Sequence, residues 1–225
     1  MAKQKLTTVE FIKTLKSLDR GFFTMADLEK ITGMERNSLK VTLNRLVKQK
    51  LLVRLKRGVY QLEMVYANTR KIANQLYYPS YLSFESALSV YGILSQIPFT
   101  QTFATTKKSK KMIIGDTEAE FTQLKSELFF GYKLEKDGYI AEPEKALLDQ
   151  LYLISRGKRS INIKELDLKE IDVKKLDEFA KAFPPYINQL LNETKKYIGS
   201  TPVTNENNDR IWWKKTEKND PISNS

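Results

Sequence analysis

The sequence predicts an α+β fold, in which a small N-terminal module of helices and one β-hairpin precedes a larger mixed α/β domain with a helical C-terminal part. Two observations lead to this prediction. The first 62 residues contain three helical patterns and then a strand–turn–strand pattern, whereas short strand-like segments and helical segments are mixed beyond residue 80. The predicted domains are therefore 1–62 and 80–200, with a linker helix over 63–79 and a polar tail over 201–225.

Capping residues and turns define the three N-terminal helices. Thr7 and Glu10 have capping-box spacing at the start of the first helix, and Thr24 is placed to cap the second. Gly33 allows the sharp turn that leads into a third helix over about 35–49. Three leucines keep helical spacing on that helix and are expected to face the core: Leu39, Leu43 and Leu46.

A basic hairpin over 51–62 follows the third helix directly, with Arg57-Gly58 as its turn. A helix, a glycine turn, a basic helix and a hairpin in this order are typical of a winged helix-turn-helix, which places one helix in the DNA major groove. Charge supports this interpretation, because about +9 of the total +11 lies in the first 62 residues. The ligand that the sequence predicts is double-stranded DNA.

The polar face of the third helix supplies the candidate DNA contacts. Arginine and lysine can read guanine edges and asparagine can pair with adenine, so Arg36, Asn37 and Lys40 are the predicted base-reading residues. Residues further along the helix and on the hairpin are predicted to contact phosphate or the minor groove. These are Asn44, Arg45, Lys48, Arg54, Lys56 and Arg57.

Composition excludes several kinds of site. The chain has no cysteine and no histidine, which excludes disulfides, thiolate or imidazole metal sites and a Ser-His-Asp triad. It has 9 glycines and no glycine-rich phosphate loop. We therefore expect no catalytic residues, no metal, no cofactor and no enzymatic activity. No run of 18 apolar residues occurs, so a cytoplasmic protein without a membrane partner is expected.

Two groups of charged residues in the second domain have alternative interpretations. The first group is a basic run that consists of Lys107, Lys108, Lys110 and Lys111. This run is either a second basic patch that binds RNA or the DNA backbone, or a solvated turn between two strands, and we favour the turn. Glu142, Glu144 and Asp149 surround a helix start at Pro143. A structural role at the positive end of that helix is favoured over metal binding or acid–base chemistry.

Periodicity predicts the remaining elements of the second domain. We expect helices over 80–94 (capped by Ser83), from Pro143 onward, over 173–183 and over 186–198, and strands over 99–106, 112–114, 126–134 and 139–140.

Three motifs carry a resemblance to a known family. They are YLSFESALSVYGIL (81–94), TFATTKK (102–108) and YIAEPEKALLDQLYL (139–153), placed after the predicted winged helix. In this combination, over about residues 20–155, the chain resembles the AbiEi-type antitoxins of bacterial type IV toxin–antitoxin, or abortive-infection, systems. The low net charge beyond residue 62 departs from a broadly basic antitoxin surface.

The resemblance implies a DNA-binding domain followed by an antitoxin domain. It implies a repressor that binds inverted repeats in the promoter of its own operon, with Arg36, Lys40, Arg45 and the hairpin tip in the DNA-contacting role. It also implies a functional partner, a nucleotidyltransferase-type toxin that is counteracted, in most accounts, without a stable complex.

Two other functions remain open on the sequence alone. One is a transcription factor whose second domain senses a small ligand. The other is a nucleic-acid-processing enzyme, such as a nuclease or transferase, that carries a DNA-targeting domain.

Overall fold

The computed structural model describes residues 7–18, 20–63 and 68–199. These residues form an α+β fold with two sheets, which confirms the predicted class. The N-terminal unit contains α1 (Thr8–Ser17), β1 (Phe23–Thr24), α2 (Met25–Thr32), α3 (Arg36–Lys48), β2 (Leu52–Lys56) and β3 (Val59–Leu62). The larger unit contains α4 (Thr69–Leu76), β4 (Ser80–Leu82), α5 (Phe84–Val90), β5 (Thr100–Thr105), β6 (Lys110–Ile114), β7 (Thr117–Gln123), β8 (Tyr132–Glu135), β9 (Gly138–Ala141), α6 (Pro143–Ser155), α7 (Val173–Ala180) and α8 (Asn188–Lys195). The predicted tail over 201–225 lies outside the described residues.

Local sequence signals set the ends of the first helices as predicted. Thr7 and Glu10 form a capping box at the start of α1, and Thr24 forms another at the start of α2. Gly33 ends α2 in the left-handed conformation, with φ 61°. Because a side chain at that backbone conformation is unfavourable, glycine permits the sharp turn between α2 and α3.

The N-terminal sheet is antiparallel and has the strand order β1-β3-β2. The sequence does not predict β1, because this strand is two residues long and pairs only through Phe23 opposite Tyr60 and Thr24 opposite Val59. The three helices cover one face of the sheet. Their shared core consists of Phe11, Leu15, Phe23, Met25, Leu28, Leu39, Leu43, Leu46, Leu52, Tyr60 and Leu62.

The larger sheet is mixed and has the strand order β6-β7-β5-β4-β9-β8. The pairs β5–β7 and β4–β9 are parallel, and the other neighbours are antiparallel. Helices α5 and α6 pack beside this sheet, and every residue of α6 from Glu144 to Leu153 is buried. The larger unit thus has a substantial core of its own.

Several predictions for the second domain are wrong in detail. Ser83 holds the N-cap position of α5 as predicted, but Ser80–Leu82, within the stretch assigned to this helix, is a strand. Because β4 lies in the middle of the sheet and all three residues are buried, it lacks the alternation that identifies a strand in sequence. Strand β7 is absent from the prediction. Residues 126–134 contain a short 3-10 helix (Ser126–Leu128) before β8 instead of one continuous strand.

The helix predicted as a linker is integrated into the larger unit. Helix α4 contributes Ile72 and Ala73 to the larger core. Its Arg70 is buried, and this guanidinium donates to the Gly138 carbonyl and to the Glu135 carboxylate, each at 3.3 Å. The part of this segment over 64–67 lies outside the described residues.

The β2–β3 hairpin also contacts the larger unit. Leu55 and Val59 belong to the larger core, and Phe22 and Val53 pack against it. The Gly115 amide donates a 2.9 Å hydrogen bond to the Leu55 carbonyl, which joins the edges of the two sheets. The hairpin is therefore covered by helices on one face and by the larger unit on the other.

A buried ion pair lies at the centre of the larger unit. Lys145 and Asp149 are one turn apart on α6, form a salt bridge, and have fully buried side chains. Asp149 also accepts hydrogen bonds from the hydroxyls of Tyr81 (3.1 Å) and Ser83 (2.8 Å). Burial raises the pKa of Asp149 and lowers the pKa of Lys145, because both charges lose hydration, and the ion pair opposes both shifts. This network ties α6 to β4 and to the start of α5.

We predict that breaking this pair on one side destabilises the protein strongly. Asp149→Asn and Lys145→Met should each lower the free energy of unfolding by about 3–5 kcal/mol, because each leaves the other charge buried without its partner. Urea denaturation followed by circular dichroism measures this. The double variant, in which both charges are absent, should cost less than the sum of the two single variants. Losses below about 1 kcal/mol in both single variants would contradict the assignment.

Candidate DNA-binding surface

Helix α3 presents a cationic face to solvent. Its three leucines are fully buried, so the opposite face of the helix is exposed. All six residues predicted on this face are exposed, which places them on one surface: Arg36, Asn37, Lys40, Asn44, Arg45 and Lys48. An exposed row of donors on one helix face has the chemistry needed to contact base edges and phosphates.

The start of α3 makes two side-chain contacts. The Glu35 carboxylate caps the helix by accepting a hydrogen bond from the backbone N–H of Asn37 at 3.2 Å. The Arg36 guanidinium lies 3.6 Å from the Glu29 carboxylate on α2, while 63% of the Arg36 side chain remains exposed. This exposed pair contributes little stability, but it directs the Arg36 guanidinium across the α2–α3 turn.

The hairpin cations differ in their surroundings. Arg54 and Arg57 are exposed, and Arg57 lies in the turn beside Gly58, whose φ is 77°. Lys56 is half-buried, with its ammonium 3.8 Å from the Met112 sulfur of β6. Burial lowers the pKa of Lys56, and the nearby charge of Lys110 lowers it further. The structure thus places Lys56 at the contact between the two units, while Arg57 stays open to solvent.

The second basic run does not lie wholly in a turn, because Lys110 and Lys111 begin strand β6. The ammonium groups of Lys107 and Lys110 lie 5.4 and 5.5 Å from the centre of the Tyr77 ring. The Tyr77 hydroxyl donates to the Lys108 carbonyl at 2.7 Å, which fixes the ring under the loop. The second run lies next to the hairpin, because the Lys56 ammonium contacts the sulfur of Met112, two residues after Lys110 on β6.

Lys111 points to a different environment from Lys110. Its ammonium lies 3.1 Å from Glu120 and 3.7 Å from Glu118, on the neighbouring strand β7. These hydrogen bonds and charges raise the pKa of Lys111. Of the two adjacent lysines, Lys111 therefore forms ion pairs with carboxylates, whereas the Lys110 ammonium lies over the Tyr77 ring.

Two further cations, which were not predicted from the sequence, lie beside the second basic run. A cavity of about 440 Å³ is lined by Lys110 and Lys111 together with Lys158 and Arg159, which follow α6. The Arg159 guanidinium is bound to the carboxylates of Glu85 and Glu120. The basic run RGKR over 156–159 is the sequence signal that marks this segment.

The acidic residues at the start of α6 have structural contacts. The Glu144 carboxylate accepts from the Asp172 amide at 3.1 Å, and Glu142 forms an ion pair with Lys175 of α7. Asp149 belongs to the buried pair with Lys145. These contacts fasten α6 to α7 and to β4, in agreement with the structural role predicted for these residues.

No helix within the described ranges is long and apolar enough to cross a bilayer.

Comparison with known proteins gives one family match. Residues 10–62 match the family described as "Transcriptional regulator, AbiEi antitoxin". No curated protein matches the chain. The matched region covers α1 to β3 and therefore contains all of α3 and the hairpin, whereas the three motifs of the larger unit lie beyond it. Residues 10–62 are thus similar to the AbiEi antitoxin transcriptional regulators, the family that the chain resembles in its sequence motifs.

Proposed function

We propose that residues 7–63 form a winged helix-turn-helix that binds promoter DNA, and that the chain represses its own toxin–antitoxin operon. The observation that carries this proposal is the exposed cationic face of α3, which projects away from the module's own core. The order of the elements and the three-stranded sheet support it, because the hairpin follows the cationic helix directly. In this proposal α3 enters the major groove and Arg57 reaches a neighbouring phosphate.

We also propose that the DNA surface continues onto the larger unit. The Lys56 ammonium lies 3.8 Å from the Met112 sulfur, and Lys110 stands two residues before Met112 on β6, so in this proposal the hairpin and the start of β6 share one basic surface. Lys107 and Lys108 are exposed beside them. A duplex seated on α3 and the hairpin would pass near this surface, where these lysines neutralise further phosphates.

The antitoxin role belongs to the same proposal. The family match supports a regulator of the antitoxin class, and the resemblance of the larger unit supports a role against a nucleotidyltransferase-type toxin. The larger unit has its own core and the buried Lys145–Asp149 pair, so it provides a rigid surface for that role. Separation of the two units would expose Leu55 and Val59, and the two roles are therefore best tested in the full chain.

We predict that the residues at the start of α3 determine sequence preference. Arg36→Ala and Lys40→Ala should each reduce the discrimination between operator and random DNA by about 1–3 kcal/mol, because a bidentate base contact is lost. Fluorescence anisotropy with the operator and a scrambled duplex measures this. Lys13→Ala, which removes an exposed cation of α1, is the control. Equal weakening on both duplexes would contradict a base-reading role.

We predict that Arg57 and Lys110 contact phosphate. Each alanine variant should weaken all duplexes alike and reduce the slope of log K against log salt by about 0.9, since one phosphate contact is lost. A salt titration of DNA binding measures the slope. Lys111→Ala is the matched control for Lys110, because Lys111 is paired with Glu118 and Glu120. If Lys111→Ala changes the slope as much as Lys110→Ala, the basic surface is wrongly assigned.

We predict that repression and protection from the toxin are separable by mutation. In cells that express a nucleotidyltransferase-type toxin that the wild-type chain counteracts, the full chain with Arg36→Ala and Lys40→Ala should lose repression of a promoter reporter. The same variant should still restore growth when it is supplied from an unrelated promoter, because the larger unit is intact. Loss of both repression and protection, at unchanged protein levels, would assign both roles to the N-terminal unit.

A further inference from the structure

One apolar side chain lies in the middle of the polar face of α3. Among the described residues of the N-terminal unit, Val41 is the most exposed large apolar side chain, at 71%, and Val9 on α1 follows at 62%. Val41 is two positions from Leu39 and from Leu43, whose side chains are fully buried. With about 3.6 residues per turn, it therefore points roughly 160° away from each of these leucines. Val41 thus stands at the centre of the helix face that the core leaves open.

The neighbours of Val41 on this face carry hydrogen-bond donors. Asn37 and Arg45 lie about one helical turn before and after it, at i−4 and i+4, and Asn44 lies at i+3. All three side chains are exposed, as Val41 is. The valine is therefore flanked by three of the residues that are proposed to contact DNA, and it faces the same ligand surface as they do.

A valine at this position contributes little to the stability of the fold. Val41 is not among the described side chains that pack against the N-terminal core. A β-branched residue also loses side-chain freedom in a helix, and its helix propensity is lower than that of alanine or lysine. Its two methyl groups gain free energy only when a ligand removes them from water.

Thymine offers the matching apolar group. In the major groove, the edges of all four base pairs carry hydrogen-bond donors and acceptors, and the C5-methyl of thymine is the apolar group that side chains contact there. We propose that Val41 packs against the C5-methyl of a thymine in the operator and so determines specificity at that base pair. This inference rests on the proposed DNA binding through α3, and it adds one base to what that helix reads.

The test removes single methyl groups from the DNA. The full chain first enriches duplexes from a pool with a random central segment, and the most enriched sequence is synthesised as the probe. Each thymidine of the probe is then replaced in turn by deoxyuridine, which lacks only the C5-methyl. Fluorescence anisotropy gives the Kd of each duplex. We expect at least one replacement to weaken wild-type binding by about fourfold, the loss that corresponds to one methyl group no longer removed from water.

The Val41→Ala variant assigns that thymine to Val41. It should bind the unmodified probe about fourfold or more weakly. Replacement of the same thymidine should then have no further effect, because the two changes remove one shared contact. Val9→Ala makes the same change at an exposed valine of α1, and its binding should respond to deoxyuridine as the wild-type chain does. Both variants should match the wild-type chain in thermal unfolding, because both valines are exposed.

The same titrations separate a failure of this inference from a failure of the proposed function. The inference is overturned if no deoxyuridine weakens wild-type binding, or if the replacement weakens Val41→Ala as much as the wild-type chain. In either case, an enriched sequence whose preference is reduced by Arg36→Ala would leave DNA reading by α3 intact. If the wild-type chain enriches no sequence at all, both the proposed function and the role of Val41 are wrong.

Discussion

The buried pair of Lys145 and Asp149 is the interaction on which the larger unit depends. Both side chains are fully removed from solvent, and the hydroxyls of Tyr81 and Ser83 complete the network. Such a charge pair is tolerated in a core only when its geometry and hydrogen bonds compensate for lost hydration. It therefore requires α6, β4 and the start of α5 to meet in one arrangement. The other strands of the mixed sheet are assembled around that fixed centre.

The contact between the two sheets fixes the N-terminal unit against the larger unit. Leu55 and Val59 of the hairpin are buried in the larger core, and the Leu55 carbonyl accepts from Gly115. A free hairpin could move relative to its neighbours, whereas this one is packed on both faces. The orientation of α3 is consequently linked to the larger unit. This linkage gives a physical route by which changes on the larger unit reach the exposed cationic face of α3.

Local features of the fold were predictable because they depend on residues a few positions apart. The capping boxes at Thr7 and Thr24, the turn at Gly33 and the leucine stripe of α3 follow from such spacing. Strand β4 could not be predicted, because a strand that is buried on both faces has no alternating pattern of apolar and polar residues. The partial burial of Lys56 could not be predicted either, because the Met112 sulfur that contacts it is 56 residues away in the sequence. The candidate DNA residues are therefore better defined on α3 than on the hairpin.

The sequence by itself determined the α+β class and the composition of the cationic helix face. These follow from periodicity and charge, which are properties of neighbouring residues. Only the tertiary structure decided which of the adjacent lysines at 110 and 111 has carboxylate partners, and that Lys145 and Asp149 are enclosed with Tyr81. Each of these depends on chain segments far apart in sequence, and no pattern within one segment encodes which distant segment will cover it.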